Sequence, residues 1–421
     1  MTGQVLPAEN RGGARRVAAL LFSVALLMAG NGPLTTLISL RLEGLGTAPL
    51  AIGAIMASYF AGLTLGSLLA YRIVLRSGHI RAFAVFASAS SVAALAYPLV
   101  AHPLPWAVLR LAEGFCVAGI FICVESWLNE QAGPATRGKI LALYMICLYL
   151  GQAVGQLLLA LDPGPGQPLV FMLVSILMSV AILPVAMTRQ SPPALPDVVS
   201  FPIRRLYAAS PLGMVGTVAS GLVLGSVYAL GPLFARGAAG LDAGGAAQFM
   251  SALILGGVLL QWPLGRLSDA FDRRRVIVGT LASLTASAAL MLFVAGGDWP
   301  ALFAASALFG GFAFALYPLC VAHMNDYMDS RDRVAASGGL VLAYSTGATA
   351  GPLVASSVMP ALGVAGLFVF VACIAAAVLV FGLWRMLVRK PVPADQQGPF
   401  QVLPGTTPTV APLHSGTDHR A

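Results

Sequence analysis

Charge is scarce in this chain. Asp, Glu, Lys and Arg make up 10% of its 421 residues, against about 25% in soluble domains. Lysine occurs only at Lys139 and Lys390. Too few polar groups are present to cover a water-facing surface, so the two or three soluble domains that length alone suggests are excluded. Cysteine is also sparse. Cys116, Cys123, Cys147, Cys320 and Cys373 all fall inside apolar runs and none forms a CxxC pair. That pattern excludes a disulfide framework and a metal site and leaves small apolar packing residues. No Walker loop, HExxH or GxSxG nucleophile turn is present, and His323 near Asp326 has no positioned nucleophile beside it. No catalytic residue, bound metal or cofactor is expected, and the chain does not read as an enzyme.

What is there instead is apolar sequence. Hydrophobic residues make up 58% of the chain, and the mean hydropathy is +0.85. A helix needs about 20 apolar residues to cross a bilayer. Twelve runs meet that length, at 17–40, 49–71, 82–101, 105–128, 136–159, 167–188, 209–235, 247–265, 275–295, 299–324, 335–358 and 361–388. The first follows Arg11, Arg15 and Arg16 like a signal peptide. It is longer than a usual signal core and lacks a small-residue cleavage site after it, so it reads as span 1.

The formal net charge is +8, which invites a nucleic-acid reading. The arginines gather on no candidate face and lie in short connectors, so no nucleic-acid partner is expected. Of the 24 basic residues, 21 fall in the two tails, in alternate connectors or at the span ends that adjoin them. Arg41 and Arg236 fall on the other side, and Arg110 lies within a span. Basic residues stay in the cytoplasm, so both termini are expected there. All five tryptophans fall near span ends, where indoles favour the membrane interface.

The domain plan follows. Residues 1–16 are a cytoplasmic tail, 17–188 and 209–388 are two six-span bundles, and 189–208 is a Pro-rich cytoplasmic linker. Residues 389–421, rich in Pro, Gly and Thr, are expected to be a disordered cytoplasmic tail.

The two halves repeat. NEQAGPATRGKILALYMICLYLGQAVG (129–155) and NDYMDSRDRVAASGGLVLAYSTGATAG (325–351) coincide at a shift of 196. Asn129 meets Asn325, Glu130 meets Asp326, and Arg137 meets Arg333. Gly151 and Gly155 meet Gly347 and Gly351, and upstream Gly114 meets Gly310. Gly32-Pro33-Leu34 echoes Gly231-Pro232-Leu233 at a shift of 199. Two six-span halves related by an axis along the membrane normal describe a transporter architecture.

One connector concentrates charge. QWPLGRLSDAFDRRRV (261–276) carries Arg266, Arg273, Arg274 and Arg275 with Asp269 and Asp272. Its Gly265, Asp269, Arg273 and Arg274 resemble the loop motif of the major facilitator superfamily. The first-half counterpart, residues 71–81, has Leu75 at the acidic position. Arg110-Leu-Ala-Glu113-Gly114 is similar to the superfamily's basic motif in span 4. Span 5 lacks the Gly-Pro pair of many drug antiporters. The string 124–130 with Asn325-Asp326 looks most like the bacterial YcaD-type branch, which implies a bacterial inner membrane.

That resemblance covers about residues 15–390. It implies an all-α membrane protein of two pseudo-symmetric six-helix bundles. It also implies a secondary transporter of a small organic solute, working by alternating access as a monomer among membrane lipids. A proton is the expected coupling ion. The competing classes are a membrane enzyme and a non-transporting sensor or scaffold that keeps the fold.

A charged latch belongs at the membrane edge, because charge is costly at lipid depth. Asp269 is expected to face the start of span 5 near Gly138, where a helix N-terminus favours a carboxylate. Arg273, Arg274 and Arg275 are expected to pair with the other half or with lipid phosphates. Glu130, Arg137, Asp326 and Arg333 complete the cytoplasmic gate candidates, with Glu125 nearby.

Arg110 and Glu113 stand three apart on one helix face. They read either as a solute- or proton-binding pair or as an internal ion pair. Asn31, bracketed by Gly30, Gly32 and Pro33, is expected to present its amide to a central cavity, and Gln152 and Gln156 share a face of span 5. Tyr59, Tyr228, Gln261 and Tyr317 are further cavity candidates. The GxxxG spacings at Gly62/Gly66, Gly151/Gly155, Gly221/Gly225 and Gly347/Gly351 read as close helix packing.

Overall fold

Each apolar run becomes a helix because lipid offers no partner for a backbone N–H or C=O, and a helix satisfies both internally. In a computed structural model, residues 8–100, 102–133, 136–164, 166–187, 202–329, 332–388, 392, 397, 398, 400 and 405 are described. The first half holds α1 (Ala8–Gly44), α2 (Pro49–Ser77), α3 (His79–Ala96), α4 (Pro103–Gln131), α5 (Arg137–Gly155), α6 (Leu169–Val180) and the short α7 (Ile182–Ala186). The second holds α8 (Ile203–Ala209), α9 (Pro211–Gly237), α10 (Ala243–Ala270), α11 (Arg273–Val294), α12 (Trp299–Asn325), α13 (Arg333–Leu362) and α14 (Gly366–Val388).

Every expected span is carried by a helix, with its ends moved by a few residues. The largest move is at the start. Helix α1 begins at Ala8, so residues 8–16 of the expected tail are helical, with no proline there to stop the ladder. Residues 1–7 of that tail, 189–201 of the expected linker and all but five residues of the expected 389–421 tail lie outside the described residues. The rest of the linker is Pro202 and most of α8. Ser210 then caps α9 by accepting from the Gly213 N–H at 3.1 Å. The last apolar stretch, Ala336–Val388, runs for 53 residues. It is divided at Gly363, whose φ of 64° ends α13 in the left-handed conformation that glycine adopts without strain. Among the described residues eleven apolar helical stretches are long enough to cross a membrane, and this division makes twelve.

The repeat seen in sequence is a repeat of packing. In the first half α1 packs on α5, α2 on α4 and α3 on α6. In the second half α9 packs on α13, α10 on α12 and α11 on α14. Gly114 of α4 lies against the Tyr59 carbonyl of α2, and Gly310 of α12 lies against the Leu253 carbonyl of α10. A Cβ at either position would strike backbone oxygen, so the shared register marks two matching close crossings. Gly151 and Gly155 meet Ala25 and Ala29 of α1, as Gly347 and Gly351 meet Val218 and Leu222 of α9.

The outer surface carries Leu99, Phe293 and Leu387, each more than 80% exposed. Apolar side chains around the girth belong against lipid.

The halves meet through α2 against α13 and through α5 against α10. On the face opposite the basic connectors they are closed together. Ser39 Oγ donates to the Ala229 carbonyl at 2.8 Å, and Ser251 Oγ to the Ala153 carbonyl at 2.9 Å. Arg236 reaches Glu43 at 3.6 Å.

Candidate functional site

A cavity of about 120 Å³ lies between the halves. The first half contributes Asn31 and Thr35 from α1, Tyr59 and Phe60 from α2, and Tyr149 and Gln152 from α5. The second half contributes Tyr228, Phe314 and Tyr344 from α9, α12 and α13. No lining side chain among the described residues is charged.

Two hydrogen-bonded pairs stand among the polar groups. Asn31 Nδ2 donates to Tyr59 Oη at 3.1 Å, while Asn31 Oδ1 is buried with no hydrogen-bond partner among the described residues. Tyr228 Oη donates to Gln152 Oε1 at 2.9 Å across the two halves. Beside them Tyr149 packs edge-on to Phe314, with centroids 5.1 Å apart. Helix α1 runs through Pro33 without interruption, so Asn31 is held by a continuous helix on the cavity wall.

Of the residues expected at this cavity, Asn31, Tyr59, Gln152 and Tyr228 line it. Arg110, Glu113, Gln156, Gln261 and Tyr317 do not. Arg110 and Glu113 sit behind the wall, each fully buried, with Arg110 Nη1 3.0 Å from Glu113 Oε2. Tyr97 Oη donates to the same Oε2 at 3.1 Å. Arg110 Nη2 donates to Thr35 Oγ1 at 3.3 Å, and its Cζ stands 4.3 Å from the centre of the Tyr59 ring. The pair therefore holds two lining residues from behind. Gln156 lies in the 3₁₀ turn after α5. Gln261 Nε2 donates to the Phe314 carbonyl at 3.3 Å. Tyr317 stacks edge-on to Tyr344 at 5.0 Å, one layer back.

Sequence reasoning missed Tyr149, Tyr344, Thr35 and Phe314. Tyr149 carried a signal, since it stands three residues before Gln152 and shares its helix face. The other three became visible only once the helices were assembled.

A second cluster forms on the basic face. Arg273 opens α11 and is buried. Its Nη1 lies 2.7 Å from Asp326 Oδ1, its Nε donates to Ser268 Oγ at 2.8 Å, and its Nη2 reaches Asp269 Oδ1 at 3.3 Å. Burial pushes the Asp326 carboxyl above its ordinary range, against the lowering effect of Arg273, the Gly398 N–H and Arg333. Asp272 caps α11 from the Arg274 N–H at 3.0 Å and pairs with Arg274 Nη2 at 2.8 Å.

These partners correct the expected latch. Asp269 does not face the start of α5. Its partners are Arg273 and the Phe400 N–H, at 2.7 Å. At Gly138 a Cβ would meet nothing within 4 Å. Arg273 is bound within its own half, and Arg274 pairs with its neighbour Asp272. The physical reason is that Gly398 and Phe400, with Asp326 and Ser268 of the same half, take up the polar groups of this cluster.

The first half has no matching cluster among the described residues. Leu75 stands 64% exposed, and His79 opens α3 where Arg273 opens α11, packing on Trp127 at 5.6 Å. Glu130 and Arg137, at the end of α4 and the start of α5, form no ion pair among the described residues. Glu125 accepts from Tyr144 Oη at 3.0 Å.

Twelve crossing helices in two matching bundles, with an uncharged cavity at their seam, define a polytopic membrane protein of the solute-carrier kind. The Major Facilitator Superfamily profile matches residues 20–258 and 213–413. An MFS-type transporter of Yersinia pestis (strain Pestoides F) is 30% identical over 395 residues, covering 92% of this chain and 98% of the relative. The MFS-type transporter YcaD of Salmonella enteritidis is 29% identical over 374 residues, covering 86% and 93%.

Two solved structures share the fold. The nucleoside transporter NupG superposes with a TM-score of 0.75 at 13% identity, covering 90% of this chain and 100% of that one. An inward-facing bacterial homologue of the human lysosomal transporter Spinster gives 0.75 at 15% identity, covering 91% and 97%. This chain belongs to the major facilitator superfamily and is similar to bacterial MFS-type transporters.

Proposed function

We propose that this protein is a secondary active transporter that carries a small, uncharged, ring-bearing organic solute by alternating access. The basic face is the cytoplasmic one, by the placement of the arginines, in a bacterial inner membrane. The observation that carries the reading is the cavity at the seam of the two bundles, with a buried, unpartnered acceptor, Asn31 Oδ1. A buried polar atom without a partner is costly, and a solute N–H or O–H at that position removes the cost. The rings of Tyr59, Tyr149, Tyr228 and Phe314 supply flat apolar faces, and Gln152 supplies a second polar group. A formally charged solute would find no counter-charge on this wall.

Proton coupling is assigned to the Arg110–Glu113 pair. Protonation of Glu113 weakens its hold on Arg110, which itself contacts Thr35 and Tyr59 on the cavity wall. A carboxylate placed one layer behind the site can thus change the shape of the site without touching the solute.

The test has two stages. Purified protein is screened by thermal unfolding against neutral aromatic metabolites, nucleosides among them, because a ligand that binds only the folded state raises apparent stability. Hits are then followed as uptake into proteoliposomes under an imposed pH gradient. Uptake that accelerates with the gradient, and loses that acceleration in Glu113→Gln, is the expected result. Stabilisation only by strongly charged compounds would overturn the solute class.

A further inference from the structure

A second cavity, of about 410 Å³, lies on the face away from the basic connectors. The central one measures about 120 Å³, and the two share no lining residue among those described. Both halves wall the second cavity. Arg41, Leu45, Trp106 and Asp162 belong to the first half, Arg236 and Asp242 to the second. Sites for small organic molecules run to about 300–1,000 Å³, so the space is of a useful size.

The placement of charge is the main observation. Arg41 and Arg236 are the two basic residues that fall on this side of the membrane, and both line this one cavity. Arginine here opposes the charge bias that orients the spans, so two of them at one place call for a local reason. Asp162 and Asp242 line the same cavity. The four charges sum to zero, and the wall is dipolar.

Two of the four are spent on each other. Arg41 Nη2 lies 2.6 Å from Asp162 Oδ1 and donates to the Gln167 carbonyl at 3.2 Å, all within the first half. Arg236 and Asp242 retain capacity. The one ionic contact of Arg236 among the described residues is Glu43 at 3.6 Å, and both side chains are partly open to solvent. A contact of that kind is worth little, and it leaves the five guanidinium N–H groups without a hydrogen bond. Asp242 Oδ1 caps α10 by accepting from the Gly245 N–H at 2.7 Å, and its Oδ2 has no hydrogen-bond partner among the described residues. Arg236 lies in the last turn of α9 and Asp242 precedes α10. The Gly240 N–H donates to the Arg236 carbonyl at 3.0 Å in the turn between them. One guanidinium and one carboxylate oxygen thus stand open at the same lip. The first-half wall offers Leu45, 49% exposed, and the ring of Trp106, whose Nε1–H is already taken by the Val100 carbonyl at 2.7 Å.

We propose that this cavity is a binding site for a small zwitterion with an apolar body. The ligand carboxylate pairs with Arg236, its ammonium with Asp242, and its apolar part lies against Leu45 and Trp106. A ligand carboxylate can take the two-pronged hold on the guanidinium that Glu43 does not. A ligand with only one charge would answer one lip residue and leave the other unmatched. The bound molecule touches both halves, so it favours the state in which this face is closed. The central cavity has an uncharged wall, so its solute is a different molecule, and the two readings fail independently.

Binding is read by equilibrium dialysis of the purified full chain with radiolabelled probes. The probes are L-phenylalanine, 3-phenylpropionate, which lacks the ammonium, and phenethylamine, which lacks the carboxylate. Phenylalanine is expected to bind, with each analogue about tenfold weaker or more. Arg236→Gln should weaken phenylalanine about tenfold, and so should Asp242→Asn, whose amide still caps α10. Asn31→Ala, in the central cavity, should leave phenylalanine affinity unchanged. No binding of phenylalanine, or equal affinity for all probes, would overturn the proposal. Loss of phenylalanine binding in Asn31→Ala would move the ligand to the central cavity and overturn it equally. Should one lip variant fail to fold, as judged by gel filtration, the other variant and the three probes on the parent decide.

Discussion

Arg110 and Glu113 form an ion pair at 3.0 Å in which neither side chain is exposed. Because the pair is sealed behind the cavity wall, its two members depend on each other. Replacing one strands a buried charge, which costs about 3–5 kcal/mol, whereas replacing both by apolar residues of similar size is often close to neutral. Arg110→Ala is therefore expected to lower the thermal unfolding midpoint sharply. Arg110→Met combined with Glu113→Leu should recover most of that loss. A single variant as stable as the parent would show that the pair is not sealed.

Asn31 is expected to act on ligand and hardly on folding. Its Oδ1 has no protein partner to lose among the described residues, and the Nδ2 hydrogen bond to Tyr59 Oη contributes only about 0.5–1.5 kcal/mol net. Asn31→Ala should weaken binding of a solute found in the thermal screen about tenfold, equivalent to roughly 1.4 kcal/mol. Titration calorimetry on the purified variant measures it. An unchanged affinity would place the solute elsewhere in the cavity.

Gly114 and Gly310 should behave as a matched pair. Each faces a carbonyl oxygen of the neighbouring helix, Tyr59 or Leu253. Alanine at either site forces two helices apart, and overpacking of this kind costs about 1–3 kcal/mol or more. The two variants should lower the unfolding midpoint by similar amounts. By contrast Gly279→Ala should be tolerated, since its Cβ would meet nothing within 4 Å.

Asp272 gives a pH dependence with a definite sign. Burial pushes its carboxyl up, but hydrogen bonds from the Arg274 side chain and N–H, with the charges of Arg274 and Arg275, outweigh it and hold the group below its ordinary 3.8. The folded state then binds that proton less readily than the unfolded state. The contribution to stability is present above the ordinary value and is lost as pH falls through the lowered one. In a pH series of thermal unfolding, Asp272→Asn should be less stable than the parent at neutral pH, and the gap should close in acid. A gap that is constant with pH would refute the assignment.

Much of the fold was legible because a bilayer allows few alternatives. Run length defined the twelve helices, and the 196-residue shift that joins Gly114 to Gly310 and Gly151 to Gly347 was already a record of helix crossings. The candidate site was less legible. Asn31, Tyr59, Gln152 and Tyr228 stood out as polar groups in apolar runs. Thr35, Phe314 and Tyr344 did not, since Phe and Tyr occur throughout such runs and only rotation about the helix axis selects those that face the seam. Arg110 and Glu113 were visible as a pair, but their depth behind the wall was not. Sequence spacing places two residues on one face of a helix without saying what that face meets.

The amino-acid sequence by itself determined the class, the number of crossings, the repeat and the sidedness of the charge. All of these follow from local periodicity and from the cost of exposing backbone and charge to lipid. Only the tertiary structure decided which face of each helix lines the cavity and which buried ions stand behind it. It also decided what the charged connector binds. Asp269 and Arg273 share one connector, but Asp326 lies 53 residues beyond Arg273 at the end of another helix, and Gly398 and Phe400 come from the C-terminal segment. No short-range pattern brings them together; the packing of α10, α11 and α12 does.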